Sequence, residues 1–185
     1  DIPHPPGYPL YNLLAHAFTR LPFGTLAARV NLLSAVLSAL TCAALFFAFC
    51  GFGVPRALAF AGVALFAVSD QFWDLSVVAE VYGLEARLIA VALALIARAE
   101  ESKPPMTARG ALPLAVVMGA ALFHRPTALF FLAGWVVLLW PRLERPWLFL
   151  VSMGIGALPY LQTAWVFFTR AWGAAHRSIN YSDFP

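Results

Sequence analysis

Charged residues are scarce in this chain of 185 amino acids, and their scarcity decides the class of protein. Only 11% of the residues are charged, whereas 62% are hydrophobic and the mean hydropathy is +0.78. Soluble domains carry about a quarter charged residues and about half apolar ones, so this composition excludes a soluble domain. The net charge of +3 is small and scattered along the chain, which argues against nucleic acid as a partner.

Other absences exclude further classes of site. Cysteine occurs twice, and Cys42 and Cys50 lie two turns apart in one apolar segment, too far apart to form a disulfide. No cluster of His, Cys and Asp has metal-ligand spacing, and no Gly-rich phosphate loop occurs. The sequence therefore shows no metal site and no evident cofactor, and it leaves metal dependence open. The start at Asp1 has neither an initiating Met nor the basic region of a signal peptide, so we expect the chain to be part of a longer protein.

Long apolar runs are abundant and predict an all-α, polytopic membrane domain. Because a helical span needs about 20 apolar residues, the chain has room for about six transmembrane helices. Apolar residues at helical spacing from Leu10 to Phe18 predict a short helix on the membrane face. The predicted spans are Val30–Cys50, Ala57–Trp73, Leu84–Ala99, Ala111–Phe123, Pro126–Trp140 and Trp147–Trp165.

Two of these runs are short and are separated by His124-Arg125-Pro126. They form either one long helix with a buried His-Arg pair or two helices that meet at a polar junction. Pro126 and the cost of an unpaired arginine in lipid favour the junction.

The loops predict three regions and two unlike faces. We expect an outward loop and amphipathic helix over residues 1–28, a transmembrane domain over 29–169 and an outward polar tail over 170–185.

One face collects the histidines and most of the Asp, Tyr and Asn residues. The other holds basic turns around Arg56, Arg98–Arg109 and Arg142. Lys and Arg divide about evenly, so the positive-inside rule gives no orientation by count. We assign the histidine-bearing face to the non-cytoplasmic side because the basic turns are of the ordinary cytoplasmic kind.

Five blocks resemble successive signatures of one membrane family. They are His4-Pro5-Pro6-Gly7-Tyr8-Pro9-Leu10-Tyr11, Arg29-Val30-Asn31-Leu32-Leu33-Ser34-Ala35, Phe72-Trp73, Ala79-Glu80-Val81-Tyr82-Gly83-Leu84 and His124-Arg125-Pro126-Thr127-Ala128. The family, long filed as a domain of unknown function, is grouped with the GT-C glycosyltransferases and includes the animal transmembrane protein O-mannosyltransferases. The tail Asn180-Tyr181-Ser182-Asp183 is similar to an Asn-Trp-Gly-Asp segment of that family.

The resemblance implies a membrane glycosyltransferase that moves a sugar from a polyprenyl-phosphate donor to a protein or glycan acceptor. It also implies a site on the non-cytoplasmic face, which for a bacterial member is the outer side of the inner membrane. Members carry an acidic Asp-x-x-Glu-type motif shortly before the HPPG block. This chain starts after that motif, so we expect the general base to lie upstream, and Asp1 does not take its place.

The same blocks supply the candidate site residues. We predict Glu80 as a substrate-orienting acid, with His4 beside it. Arg29 and Arg125, together with His124, are predicted to cradle the donor phosphate, because a guanidinium fork stays charged when partly buried. The remaining candidates offer rings, hydroxyls or amides to the donor and are Tyr8, Tyr11, Asn31, Trp73, Tyr82, Asn180 and Asp183.

A second class of function stays open at this point. The chain is alternatively a non-catalytic module that binds or moves polyprenyl-linked substrates, or an inactive fragment without the upstream motif. Single residues also have plainer interpretations, since Glu80 is typical of a helix cap and Arg29 of an arginine that snorkels to the interface.

Overall fold

The computed structural model describes residues 8–101, 105–125 and 127–174, and this part of the chain is helical. Its only β pairing is an isolated bridge between Met106 and Leu143, so the prediction of an all-α fold is confirmed there. The helices are α1 (Pro9–Thr19), α2 (Leu26–Gly51), α3 (Arg56–Ala67), α4 (Asp70–Val77), α5 (Tyr82–Glu101), α6 (Ala108–His124), α7 (Ala128–Leu139) and α8 (Pro146–Ala174), with a 3₁₀ turn at Trp140–Arg142.

The long helices lie side by side and define two ends. Helices α2 and α5 run parallel, because Leu37 packs on Gly83 and Gly51 packs on Ala97. Helix α6 returns antiparallel to α5, and α8 runs parallel to α6. We call one end the His124 end, which holds Tyr8, Val81–Glu85, His124, Arg125 and Thr127. The other is the Arg142 end, which holds Gly51–Arg56, Arg98, Met106 and Trp140–Arg145.

Backbone and charge contacts close the Arg142 end. The Met106 amide donates to the Arg142 carbonyl at 2.8 Å, and the Glu144 amide donates to the Met106 carbonyl at 3.1 Å. Arg142 also forms an ion pair with Glu100 at the end of α5. These contacts join the turn before α6 to the turn before α8, so the two helices start level with each other.

Two apolar clusters hold the helices together. The larger lies between α5, α6, α7 and α8 and centres on Leu114, Met118 and Leu139, which are almost fully buried. The smaller joins α1 to α2 and α5 through Tyr11, Leu33, Leu37 and Leu84. The smaller cluster places α1 against the His124 end, in agreement with the short helix that the sequence predicts there.

The prediction of six spans is not confirmed. Within the described residues, only α2 is long and apolar enough to cross a membrane on its own. The pair α3 and α4 would add one broken span. Helix α6 has 17 residues and α7 has 12, and α5 carries charged residues at both ends, so none of them meets the same test.

The predicted span Ala57–Trp73 is instead two helices with a bend of 67° between them. The Ser69 backbone is extended, and its hydroxyl donates to the Phe66 carbonyl at 2.7 Å. This bond satisfies a carbonyl at the end of α3, and Asp70 then starts α4. The break therefore follows from the polar residues that interrupt the apolar run.

The predicted junction after α6 is confirmed. Helix α6 ends at His124, Arg125 has an extended backbone and α7 begins at Ala128. Pro126 lies outside the described residues. The junction places a histidine, an arginine and a threonine at the ends of two apolar helices.

Two glycines let α6 and α8 approach each other closely. A methyl group at Gly119 would overlap the backbone carbonyl of Met153, and one at Gly156 would overlap the backbone of Val116 and Ala120. Small residues at such crossings are typical of membrane helices, because they let backbones come into van der Waals contact.

We expect Gly119→Ala and Gly156→Ala to destabilise the fold by about 1–3 kcal/mol, since backbone atoms cannot move aside as a side chain can. Gly154, on the same helix, has nothing within 4 Å of such a methyl group and serves as the matched control. Gly154→Ala should leave stability unchanged or raise it by up to ~1 kcal/mol through helix propensity. Thermal unfolding in detergent micelles measures both effects, and equal stability of all three variants would contradict the close crossing.

Candidate functional site

His124 is the buried centre of the His124 end. Its side chain has no exposed surface. The Nε2 atom lies 3.1 Å from the Val81 carbonyl oxygen, and Nδ1 lies 3.2 Å from the Tyr160 hydroxyl. The Tyr8 ring packs on the imidazole with centroids 5.3 Å apart. One histidine thus joins α6 to α8, to the residue before α5 and to the residue before α1.

The partners of His124 determine which nitrogen carries its proton. A carbonyl oxygen can only accept, so we assign a proton to Nε2, and the complete burial of the ring favours the neutral Nε2–H tautomer over the charged imidazolium. Nδ1 is then an acceptor for the Tyr160 hydroxyl, which lies 3.2 Å from Nδ1 and 3.5 Å from the Ala120 carbonyl oxygen. Both ring nitrogens are therefore occupied, as a fully buried polar group requires.

Arg125 extends the site toward the surface through an ion pair with Glu85. Its Nη1 atom lies 2.8 Å from Glu85 Oε2, and the Thr127 hydroxyl donates to Glu85 Oε1 at 2.5 Å. The Arg125 guanidinium also stacks over the Tyr82 ring, 4.4 Å from its centroid. Each carboxylate oxygen has a donor, and the guanidinium is held in place from two sides.

The ion pair is partly buried, with side-chain exposures of 23% for Arg125 and 12% for Glu85. Partial burial strengthens the attraction between the charges because solvent screens it less. Only one of the five guanidinium N–H donors is used by Glu85. Others remain to bind a second anion while Glu85 holds the arginine in place.

A second group of polar atoms lies one helix away. Tyr11 and Ser34 are buried neighbours on α1 and α2, and within the described residues neither hydroxyl has a partner at normal hydrogen-bond geometry. Burial raises the pKa of the Tyr11 hydroxyl above its ordinary value, the Ser34 side chain opposes the rise, and the negative charge of the nearby Glu80 adds to it. Glu80 itself is half-buried in the loop before α5. Unpaired buried hydroxyls are rare in folded proteins, so Tyr11 and Ser34 mark a place where a bound group can supply partners.

The backbone of Tyr8 is strained at the point where the chain reaches this site. Tyr8 has a φ of 40° and a ψ of 56°, and it is the one non-glycine residue with a positive φ in the described part of the chain. This left-handed conformation costs an ordinary residue roughly 1–2 kcal/mol. The contact with His124 and the start of α1 hold Tyr8 in this conformation.

Arg29 lies in a different place from Arg125. Its guanidinium donates to the carbonyls of Thr19, Phe23 and Gly24 at distances of 2.7 to 3.0 Å. Helix α1 has 11 residues and separates these carbonyls from Tyr8 by ~16 Å. The structure therefore does not bring Arg29 to the His124–Arg125 group, and a role for Arg29 in phosphate binding stays a prediction at a separate position.

The structure brings some of the other predicted residues to the His124 end and leaves others elsewhere. Tyr8, Tyr11, Glu80, Tyr82, His124 and Arg125 come together at the His124 end. Asn31 is half-buried on α2 near Arg29, and the Trp73 side chain is 57% exposed on α4 without a contact to His124 or Arg125. His4, Asn180 and Asp183 lie outside the described residues, and so does the prediction that His4–Gly7 fold back toward His124.

No group of three or more metal-ligating side chains occurs in the described ranges. The site there consists of an arginine, carboxylates, phenols and hydroxyls. Its chemistry is anion binding, hydrogen bonding and ring stacking.

Comparison with known proteins gives the family. The sequence profile of the protein O-mannosyl-transferase TMEM260 N-terminal domain matches residues 1–147, which include all five blocks. This chain belongs to that family. The protein O-mannosyl-transferase TMEM260 of Mus musculus is 36% identical over 102 residues, which is 55% of this chain. The match spans only 14% of the mouse protein's length. No solved structure matches this chain significantly.

Sequence reasoning did not assign a role to three residues of this TMEM260-type domain, namely Glu85, Thr127 and Tyr160. Glu85 carried a usable signal, because it is an ionisable residue in an apolar chain and lies three residues after Tyr82 on one helix face. Thr127 lies within the HRPTA block. Tyr160 carried no local signal, since its partner is 36 residues away in sequence.

The two buried tyrosines of the site allow a matched test of the His124 contacts. Tyr160→Phe leaves Nδ1 of His124 without its donor, so we expect a loss of about 1–3 kcal/mol in stability. Tyr11 is equally buried, but its hydroxyl makes no hydrogen bond of normal geometry among the described residues and does not contact His124. Tyr11→Phe should therefore leave the unfolding temperature in detergent unchanged or slightly higher. Equal losses in the two variants would show that the Tyr160 hydroxyl does not hold His124.

Proposed function

We propose that this domain takes part in sugar transfer from a polyprenyl-phosphate donor to a protein or glycan acceptor, with the His124 end as the donor site. The observation that carries the proposal is the meeting of three separate blocks at one end of the helices. Tyr8 of the HPPGYPLY block contacts His124 of the HRPTA block, and His124 donates to Val81 of the AEVYGL block. Membership of a family named for a protein O-mannosyl-transferase supports the same reaction class.

Arg125 is the residue that we assign to the donor phosphate. It is partly exposed, stacked on Tyr82 and held by Glu85, so its free N–H donors are already oriented. A positioned guanidinium binds phosphate without a large loss of side-chain entropy. The same contact would stabilise negative charge on the phosphate as the sugar leaves.

His124 has a positioning role in this proposal. Its Nε2–H is donated to Val81 and its Nδ1 accepts from Tyr160, so the ring has no free donor for a phosphate. Its hydrogen bonds hold the end of α6, and therefore Arg125, next to the start of α5, where Tyr82 and Glu85 lie. The predicted phosphate cradle is therefore reduced to Arg125 and its supporting side chains.

Glu80 and Tyr11 are assigned to the sugar or the acceptor hydroxyl. A carboxylate beside an unpaired phenol offers one acceptor and one donor, which matches the hydroxyl groups of a hexose. We propose that Glu80 orients the substrate.

Arg125→Ala should lower donor affinity by about 1.5–3 kcal/mol, the worth of a charge-assisted hydrogen bond. The measurement is a titration of the purified protein with a polyprenyl-phosphate sugar in detergent micelles. Arg20→Ala is the matched control, because Arg20 is exposed and bonds only to His16 among the described residues. An affinity of Arg125→Ala equal to the parent's, with helical content intact, would refute the assignment.

Binding without transfer separates the two classes of function. If the protein binds the donor through Arg125 but moves no sugar to an acceptor in membranes, the non-catalytic binding module is the better description. If labelled sugar appears on protein and Arg125→Ala abolishes it, the transferase is supported.

We propose further that the His124 end faces the non-cytoplasmic side. Arg20 lies beyond α1 at this end, whereas Arg109 follows Met106 at the Arg142 end. After Cys42 and Cys50 are replaced by serine, a single cysteine at position 20 should react with an impermeant maleimide in intact bacterial cells. A cysteine at position 109 should react only after the cells are opened. The reverse pattern would overturn this orientation.

A further inference from the structure

A groove lies between α2 and α5 and extends from Leu40 and Arg87 to the Arg142 end. Its volume is about 1010 Å³, at the upper end of the roughly 300–1,000 Å³ that is typical of ligand sites. Apolar side chains line its length, among them Ala43 and Phe47 of α2 and Val91 and Leu95 of α5. Because α2 is the helix best suited to span a membrane, the apolar part of the groove lies at the depth of the lipid chains.

Three arginines line this apolar groove, and among the described residues no carboxylate does. Arg56 and Arg98 lie at its Arg142 end, and Arg87 lies on α5 nearer the His124 end. The ion pairs of the described residues are Glu85–Arg125 and Glu100–Arg142, so none of the three groove arginines takes part in one there. Arg87 donates from Nη1 to the Leu40 carbonyl, which gives its charge a backbone partner. Arg56 and Arg98 thus place positive charge at one end of an apolar channel, without an ion-pair partner among the described side chains.

We propose that this groove binds an anionic glycerophospholipid of the leaflet at the Arg142 end. Arg56 and Arg98 would bind the phosphate, and one acyl chain would lie along the apolar side chains of α2 and α5. The charge supports this occupant, because two arginines near a membrane surface attract anionic headgroups. An apolar helix from another protein fits less well, since it would cover Arg56 and Arg98 without supplying an anion.

The polyprenyl-phosphate donor is a different ligand at a different place. Thirteen residues separate Glu85 from Arg98 on α5, which corresponds to ~20 Å along the helix. A donor phosphate bound at Arg98 would hold its sugar far from Arg125 and Glu80, whereas reacting groups must come within about 3.5 Å. The lipid site is therefore separate from the proposed donor site, and it stands whether or not sugar transfer is confirmed.

Native mass spectrometry of the 185-residue chain in neutral detergent provides the test. The chain is titrated with phosphatidylglycerol and, separately, with phosphatidylcholine. We expect one phosphatidylglycerol to bind saturably, and more tightly than phosphatidylcholine. The double variant Arg56→Gln/Arg98→Gln should bind phosphatidylglycerol at least about tenfold more weakly, because two charge-assisted contacts are lost.

Two matched controls separate a specific site from general attraction. Arg109→Gln/Arg145→Gln removes the same charge from exposed arginines at the same end, outside the groove, and should bind like the parent. Ala43→Trp fills the groove from an exposed position on α2 and should also weaken binding. Ala61→Trp places the same bulk on an exposed position of α3 and should have no effect.

Three outcomes would overturn the proposal. Equal losses in the two arginine pairs would show non-specific attraction to a basic surface. Unchanged binding in Arg56→Gln/Arg98→Gln would remove the phosphate contact. In the third outcome, polyprenyl monophosphate displaces phosphatidylglycerol at a concentration lower than that of phosphatidylglycerol, and Ala43→Trp weakens the binding of both lipids. That result would assign the groove to the donor lipid.

Discussion

The site depends on the hydrogen bonds of one buried imidazole. His124 has no exposed surface, so each of its nitrogens must have a partner within the protein. Those partners are a carbonyl next to α5 and a hydroxyl on α8, and the Tyr8 ring covers the imidazole. Moving either hydrogen-bond partner would leave a polar atom unpaired in an apolar environment. The requirement fixes the relative positions of three chain segments that are distant in sequence, and the Tyr8 ring packs a fourth against them.

The rest of the site is built on that fixed point. Arg125 follows His124 directly, and its extended backbone turns the guanidinium toward Tyr82 and Glu85. A carboxylate and an aromatic face then hold the arginine, while Thr127 bonds to the other carboxylate oxygen. Removing one partner of such a pair leaves a charge in a poorly solvated place, so the residues depend on one another.

Three breaks in the helices lie at the His124 end of the molecule. The chain leaves helical conformation between α5 and α4, between α6 and α7 and ahead of α1, and each break lies next to a site residue. Polar or strained backbone at membrane depth is tolerated where protein surrounds it or where it lines a cavity. At the opposite end, the backbone bonds between Met106 and Arg142 hold the helices level, and an apolar groove with three arginines opens beside them.

The sequence by itself determined the helical class, the short helix on residues 10–18, the polar junction at His124 and most of the residues that gather there. These features follow from local causes, namely apolar periodicity, proline and the cost of charge in lipid. Sequence alone did not separate Arg29 from Arg125, because one guanidinium resembles another until its partners are known. It also left Glu85, Thr127 and Tyr160 without a role, and the six spans that it predicts are not confirmed by the described helices. The contacts of Glu85, Thr127 and Tyr160 cross 36 or more residues in sequence, so only the tertiary packing of α5, α6 and α8 decides them.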